Sequence, residues 1–200
     1  MEDIEQGLKE IAEIRSLMER SSKFLSLSGL AGVAAGFIGL AGAWTGAVIL
    51  EEGEGDPRSS LVALAAGVLV VAIASSLFFT IRQAKRRGQS LWTPASRLLL
   101  VALGVPLLVG GVFCIALLLQ GIYDMLPATM LLFYGLGLFG ASQFTHEELR
   151  YLGYSQLVLG TLAALLPESG LVFWGAGFGL MHIVYGLLMH FNRDRHAATG

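Results

Sequence analysis

A single histidine lies near the middle of the last apolar segment of this 200-residue chain. This residue, His182, has Tyr185 one helical turn away. Ser142 takes the equivalent position in an earlier, similar segment, and Gln143 follows it. An ionisable side chain inside a bilayer has to be neutral and hydrogen-bonded, because a charge there is costly. We therefore expect His182 to join two helices by a hydrogen bond, with ligand contact, metal binding or proton relay as the functional alternatives.

A second group of polar residues could bind zinc. His146 and Glu147 lie between two apolar segments, and His190 closes the last one at the same predicted membrane face. Histidine and glutamate are zinc ligands, and a bound zinc ion can activate water for hydrolysis. The residues after His146 lack the second histidine of the known helical zinc motif. Solvated loop charge is therefore the preferred interpretation, zinc with His182 as a further ligand is the alternative, and no other cofactor is expected.

The composition indicates which elements have to position these side chains. Hydrophobic residues make up 54% of the chain, charged residues 14%, and the mean hydropathy is +0.68. These values are typical of membrane proteins rather than of soluble globular domains. The net charge of −2 argues against a nucleic-acid partner. Because Cys114 is the sole cysteine, no intramolecular disulfide can form.

Six apolar stretches approach the length that a helix needs to cross a bilayer. They predict an all-α, polytopic bundle of six transmembrane helices over residues 24–191, with a cytoplasmic tail at 192–200. The predicted spans are 24–50, 61–81, 98–119, 126–143, 149–166 and 171–190.

An internal repeat suggests how these spans are related. Residues 126–142 recur at 166–182, with Leu126, Pro127 and Gly135 matching Leu166, Pro167 and Gly175, and residues 61–86 match the last span more loosely. Repetition at this scale predicts three related helical hairpins whose pseudo-symmetry axis runs along the membrane normal. Small residues at helical spacing, above all the glycines of the first span, predict seams where helix backbones approach closely.

The basic residues predict the orientation. Of the 13 lysines and arginines, only Arg58 falls in the loops on one side of the predicted bundle. Loops rich in lysine and arginine stay in the cytoplasm. Both termini are therefore expected to be cytoplasmic, in the inner membrane of a bacterium. The predicted inner side holds Lys9, Arg15, Arg20, Lys23, Arg82, Lys85, Arg86, Arg87, Arg97, Arg150, Arg193 and Arg195.

The first 23 residues are charged and carry apolar residues at helical spacing. Ile4, Leu8, Ile11 and Met18 fall largely on one stripe, which predicts an amphipathic helix. Such a helix can lie on the membrane surface or bind a protein partner or a second copy of the chain. These four residues are the candidate partner-binding positions.

The segment RSLMERSSKFLSLSGLAGVAAG, residues 15–36, resembles the opening of a group of uncharacterised bacterial integral membrane proteins with six spans. Such proteins often accompany winged-helix transcriptional regulators. The resemblance implies a regulatory or partner-binding role and transfers no site residues.

Three functions are compatible with these patterns. The preferred one is a non-enzymatic membrane protein that binds a partner or ligand and acts as a scaffold or regulatory component through its cytoplasmic face. The second is a transporter or channel for a small neutral or hydrophobic compound, which predicts a cavity reaching His182. The third is a membrane-embedded, metal-dependent hydrolase. No Asp, Glu, Lys or Arg lies deep in a predicted span, which argues against a pump built on buried carboxylates.

Overall fold

The computed structural model describes residues 6–7, 27–52, 57–86, 88 and 90–198. Apart from residues 6–7, the predicted amphipathic helix lies outside these ranges, so Ile4, Leu8, Ile11 and Met18 stay untested. Within the described ranges every regular element is helical. The main elements are α1 (Gly29–Glu52), α2 (Arg58–Arg86), α3 (Pro94–Leu119), α4 (Leu126–Ala141), α5 (Glu148–Leu165), α6 (Gly170–Trp174), a π-helical segment (Gly175–Met181, the π segment) and α7 (His182–Ala198).

The described helices are those of a membrane protein. Four stretches are long and apolar enough to cross a bilayer: Gly29–Glu51, Arg58–Arg86, Pro94–Leu119 and Pro167–Phe191. α4 has 16 residues, which at the helical rise gives about 24 Å, less than the hydrocarbon core of about 30 Å. α5 has 18 residues but includes Glu148, Arg150 and Gln156. Helices therefore occupy all six predicted segments, and four of them meet the criteria for a span.

The helices form a bundle in which α2 and α3 lie on the outside. α1 packs between α2 and the last helix, and α4 packs between α3 and α5. α2 and α3 expose large apolar side chains such as Phe78, at 60%, and Leu108, at 72%. Lipid is the environment in which such surfaces are stable. α5 packs more extensively on α4 than on α6, the π segment or α7, so the bundle is centred on α1, α4, α5 and the π segment.

The predicted glycine seam on α1 is confirmed. A Cβ atom on Gly36 would lie 2.7 Å from the Gly179 carbonyl oxygen, and one on Gly39 would lie 2.5 Å from the Phe178 carbonyl oxygen. A Cβ atom on Gly29 would lie 2.6 Å from the carbonyl oxygen of Gly186. Helix association in lipid depends on such close van der Waals packing, because burying apolar surface gains little there. The seam fixes α1 against the backbone of the π segment and α7.

Two glycines on α5 make a similar seam with α4. A Cβ atom on Gly153 would lie 3.0 Å from the Phe139 backbone nitrogen, and one on Gly160 would lie 3.0 Å from the Leu132 backbone nitrogen. Gln156 lies between these two contacts on the same helix and is fully buried. The close approach of α4 and α5 therefore brings Gln156 into the centre of the bundle.

We expect Gly39→Ala to destabilise the protein by about 1–3 kcal/mol, because the added methyl group meets backbone rather than a flexible side chain. The matched control is Gly104→Ala, since nothing lies within 4 Å of a Cβ atom built there. The free energy of unfolding in mild detergent is the quantity to measure. Equal stability of the two variants would contradict the seam.

Candidate functional site

His182 begins α7 and is 5% exposed. Its Nδ1 atom lies 2.9 Å from the Gly177 carbonyl oxygen, and its Nε2 atom lies 2.8 Å from the Tyr134 hydroxyl oxygen on α4. Because a carbonyl oxygen can only accept, Nδ1 has to carry the proton. In the neutral ring Nε2 is then an acceptor, so the Tyr134 hydroxyl group donates to it. The hydrogen bond that was predicted to join two helices through His182 is thus present.

The Gly177 carbonyl group is shared by two side chains. It accepts from His182 Nδ1 and also from Gln156 Nε2, at 2.8 Å. Gln156 is 0% exposed, and no residue that the structure describes gives its Oε1 atom a hydrogen bond. Turning the amide over would place Oε1 against a carbonyl oxygen, so the observed orientation is fixed. The site therefore holds one buried acceptor that the protein leaves unsatisfied.

Aromatic rings surround the histidine. The Tyr134 ring stacks on His182, with centroids 5.5 Å apart, and lies 5.1 Å from the Phe178 ring. Phe178 also stacks on His182 at 6.0 Å and contacts Trp174 at 5.1 Å. Trp174, Phe178 and His182 recur every four residues, so they line one side of α6, the π segment and the start of α7. These rings pack around His182 and contribute to its burial.

The geometry depends on the π segment and its glycines. A π-helical turn is wider than an α-helical one, and such turns often occur at functional sites. A Cβ atom on Gly177 would contact the Leu131 side chain and lie 2.6 Å from Gln156 Oε1. Glycine at this position therefore lets Leu131 of α4 pack closely and lets Gln156 of α5 reach the carbonyl group. We name Tyr134, Gln156, Gly177 and His182 the polar cluster.

The other predicted members of the site lie elsewhere. The Ser142 hydroxyl group donates to the Phe139 carbonyl oxygen at 2.6 Å, within its own helix end. Gln143 is exposed. Tyr185 packs beside α1, where its Cδ1 atom would lie 3.3 Å from a Cβ atom on Gly32. The sequence repeat thus indicated the wrong partner for His182, because Ser142 satisfies its hydroxyl group locally.

The alternative zinc site is not assembled. Within the described ranges no three His, Cys, Asp or Glu side chains lie close enough to hold a metal ion. Both ring nitrogens of His182 are engaged by Gly177 and Tyr134, so a metal ion could reach the Nε2 lone pair only by displacing Tyr134. His190 is exposed, half a helix further along α7, and its ring contacts Phe191. His146 and Glu147 follow the short 3₁₀ turn after α4.

Sequence reasoning missed two members of the polar cluster. Gln156 is the one amide side chain inside the predicted span 149–166, and a lone amide in an apolar helix is a usable signal. Tyr134 matches Trp174 in the repeat, and both rings do contact Phe178. A tyrosine that aligns with a tryptophan could have indicated a buried ring with a hydroxyl group to satisfy.

We expect Tyr134→Phe to lower the free energy of unfolding by about 0.6–1.7 kcal/mol, the range for hydrogen bonds between membrane helices. The phenyl ring keeps the stacking but removes the donor to His182 Nε2. Tyr151→Phe is the control, because Tyr151 is 73% exposed and should tolerate the change. Unfolding titrations in mild detergent measure both. An equal effect of the two substitutions would show that the Tyr134 hydroxyl group contributes nothing.

No protein-family model matches the chain, and neither a curated protein nor a solved structure matches it. Its function therefore has to be argued from the geometry of the polar cluster and of the helices around it.

Proposed function

We propose that this chain is a non-enzymatic, six-span protein of the bacterial inner membrane that binds a ligand or protein partner. In this proposal it acts as a scaffold or regulatory component through a cytoplasmic face that carries both termini. The observation that supports it is the polar cluster, in which Gln156 of α5 and His182 of α7 share the Gly177 carbonyl group and Tyr134 of α4 bonds to His182. The three-hairpin repeat remains part of the proposal.

The unsatisfied acceptor is the basis for a binding role. A polar atom buried without a hydrogen bond costs roughly 1–3 kcal/mol in proteins. Gln156 Oε1 is such an atom, although its Nε2 atom is well placed on Gly177. A ligand or a rearranged partner side chain that donates a hydrogen bond would remove this cost. The cluster is therefore suited to change its state when something binds.

The packing offers a route from the cluster to the cytoplasmic face. Gly36 and Gly39 of α1 fit against the backbone of residues 178 and 179, next to Gly177. A shift of the π segment would move this backbone. It would also move α1, because close-packed backbone leaves no free space that could take up the shift. α1 directly follows the N-terminal residues that include the predicted partner-binding positions. The cluster and the N-terminal segment are thus linked through one helix.

The geometry favours this function over the other two. His182 is buried beneath aromatic rings and bonded at both nitrogens, whereas a transport pathway would expose it to a cavity. General-base catalysis would need a substrate or water at Nε2 in place of Tyr134, and metal binding would need the Nε2 lone pair that accepts from Tyr134. In the described arrangement His182 has a structural role in holding the site.

The side of the membrane on which each loop lies distinguishes a chain with six spans from one in which only the four long, apolar helices cross. In a Cys114→Ala background, Glu147→Cys between α4 and α5 should react with a membrane-impermeant maleimide from the same side as Ser90→Cys. Six crossings place both loops in the cytoplasm, because the two helices between them, α3 and α4, carry the chain across the membrane and back. Ser59→Cys, at the start of α2, marks the opposite side. Labelling of Glu147→Cys together with Ser59→Cys would contradict six spans.

Native mass spectrometry of the full chain, extracted gently from its own membrane, tests the binding role. We expect the wild type to carry a second polypeptide or a small organic molecule, and Gln156→Met to lose it. Gln156→Met removes the unsatisfied oxygen and leaves His182 on the Gly177 carbonyl group, so the fold should persist. Tyr151→Phe is the control and should retain the bound mass.

Two outcomes would overturn the proposal. A bare monomer in every preparation would leave the protein without a partner, and a bound zinc ion would favour the hydrolase. If Gln156→Met retains the same bound mass, binding does not depend on the polar cluster.

A further inference from the structure

The second feature that suggests binding is the end of α2. Arg82, Lys85 and Arg86 are all exposed, and Lys85 and Arg86 occupy the last helical turn. Cations are favoured at a helix C-terminus by the helix dipole. Like charges three and four residues apart also repel one another. An anion held between these side chains would remove the repulsion.

An apolar stripe leads directly into this basic end. Phe78 and Arg82 are four residues apart on α2, as are Ile81 and Lys85, so each apolar side chain lies one turn below a basic one. Phe78 is 60% exposed, and Ile81 is 37% exposed. The same face of the helix is thus apolar at depth and cationic at its end. A phospholipid has a matching arrangement, with apolar acyl chains at depth and a charged headgroup at the membrane surface.

The following loop adds an interfacial aromatic residue. Trp92 is 64% exposed, and the Arg97 guanidinium group lies 5.2 Å from its ring centroid. Thr93 and Ser96 fix this geometry through a capping box, with bonds of 2.8 Å and 3.1 Å at the start of α3. Exposed tryptophan is enriched at the headgroup level of membranes. Trp92 therefore marks the depth at which the basic end of α2 meets the headgroups.

We propose that the end of α2 binds an anionic phospholipid. The phosphate group lies among Arg82, Lys85 and Arg86, and an acyl chain lies along Phe78 and Ile81. Juxtamembrane basic residues attract anionic lipid, whereas a zwitterionic lipid has no net charge for them to attract. The apolar stripe favours a lipid over a soluble phosphate, because a soluble phosphate has no acyl chain to contact Phe78 and Ile81. This inference is independent of the polar cluster and of the partner proposed above.

Lipid titration of the full chain in detergent, read by native mass spectrometry, tests this site. The probes are phosphatidylglycerol and phosphatidylcholine with identical acyl chains. We expect the wild type to prefer phosphatidylglycerol, and the triple variant Arg82→Gln, Lys85→Gln, Arg86→Gln to lose this preference by about tenfold or more. Arg58→Gln, which removes one cation at the other end of α2, should keep it.

Two further arms identify the source of the anion. Phe78→Ala should weaken the binding of phosphatidylglycerol with all charges in place, because the acyl contact is lost. Glycerol 3-phosphate in large excess should not displace the lipid. Displacement by glycerol 3-phosphate would overturn the lipid assignment in favour of a soluble phosphate site. An unchanged lipid preference in the triple variant would overturn the site itself.

Discussion

A polar group in the hydrocarbon core of a bilayer has to find its hydrogen-bond partner within the protein, because no water competes there. In this chain the carbonyl group of Gly177 is the acceptor that meets this requirement for two buried side chains. His182 and Gln156 both donate to it, and Tyr134 completes the chain of hydrogen bonds from α4. Three segments that are distant in sequence are thereby fixed at one point. The orientation of the aromatic rings follows from the same point.

Close backbone packing is what permits this convergence. Glycines at positions 36, 39 and 177 allow α1, α4 and α5 to approach the π segment from different sides. Such contacts are rigid, since backbone cannot move aside as a long side chain can. The site and the scaffold are therefore one structure. In the proposed function, a change in the polar cluster is passed on to α1 through this packing.

The sequence was sufficient for the features that depend on local composition. Apolar segments predicted helices, and small residues at helical spacing predicted that α1 carries a packing seam, whose partners in the π segment and α7 come from the structure. The sequence was insufficient where a contact depends on how a helix is rotated about its own axis. The repeat pointed to Ser142, whereas Ser142 bonds within its own helix end and the His182 ring meets Tyr134. Gln156 is visible in the sequence as a lone amide, but its hydrogen-bond acceptor, the Gly177 carbonyl group, is visible only in the packed bundle.

The protonation of the His182 ring tests the central claim most directly. Nitrogen-15 NMR of histidine-labelled protein in lipid, with His182→Gln used to assign the resonance, distinguishes the two neutral tautomers and the cation. A shared Gly177 carbonyl group predicts a neutral ring with the proton on Nδ1 and a bare Nε2 that accepts from Tyr134. A ring protonated on Nε2, or on both nitrogens at neutral pH, would contradict this account of how the bundle is held together.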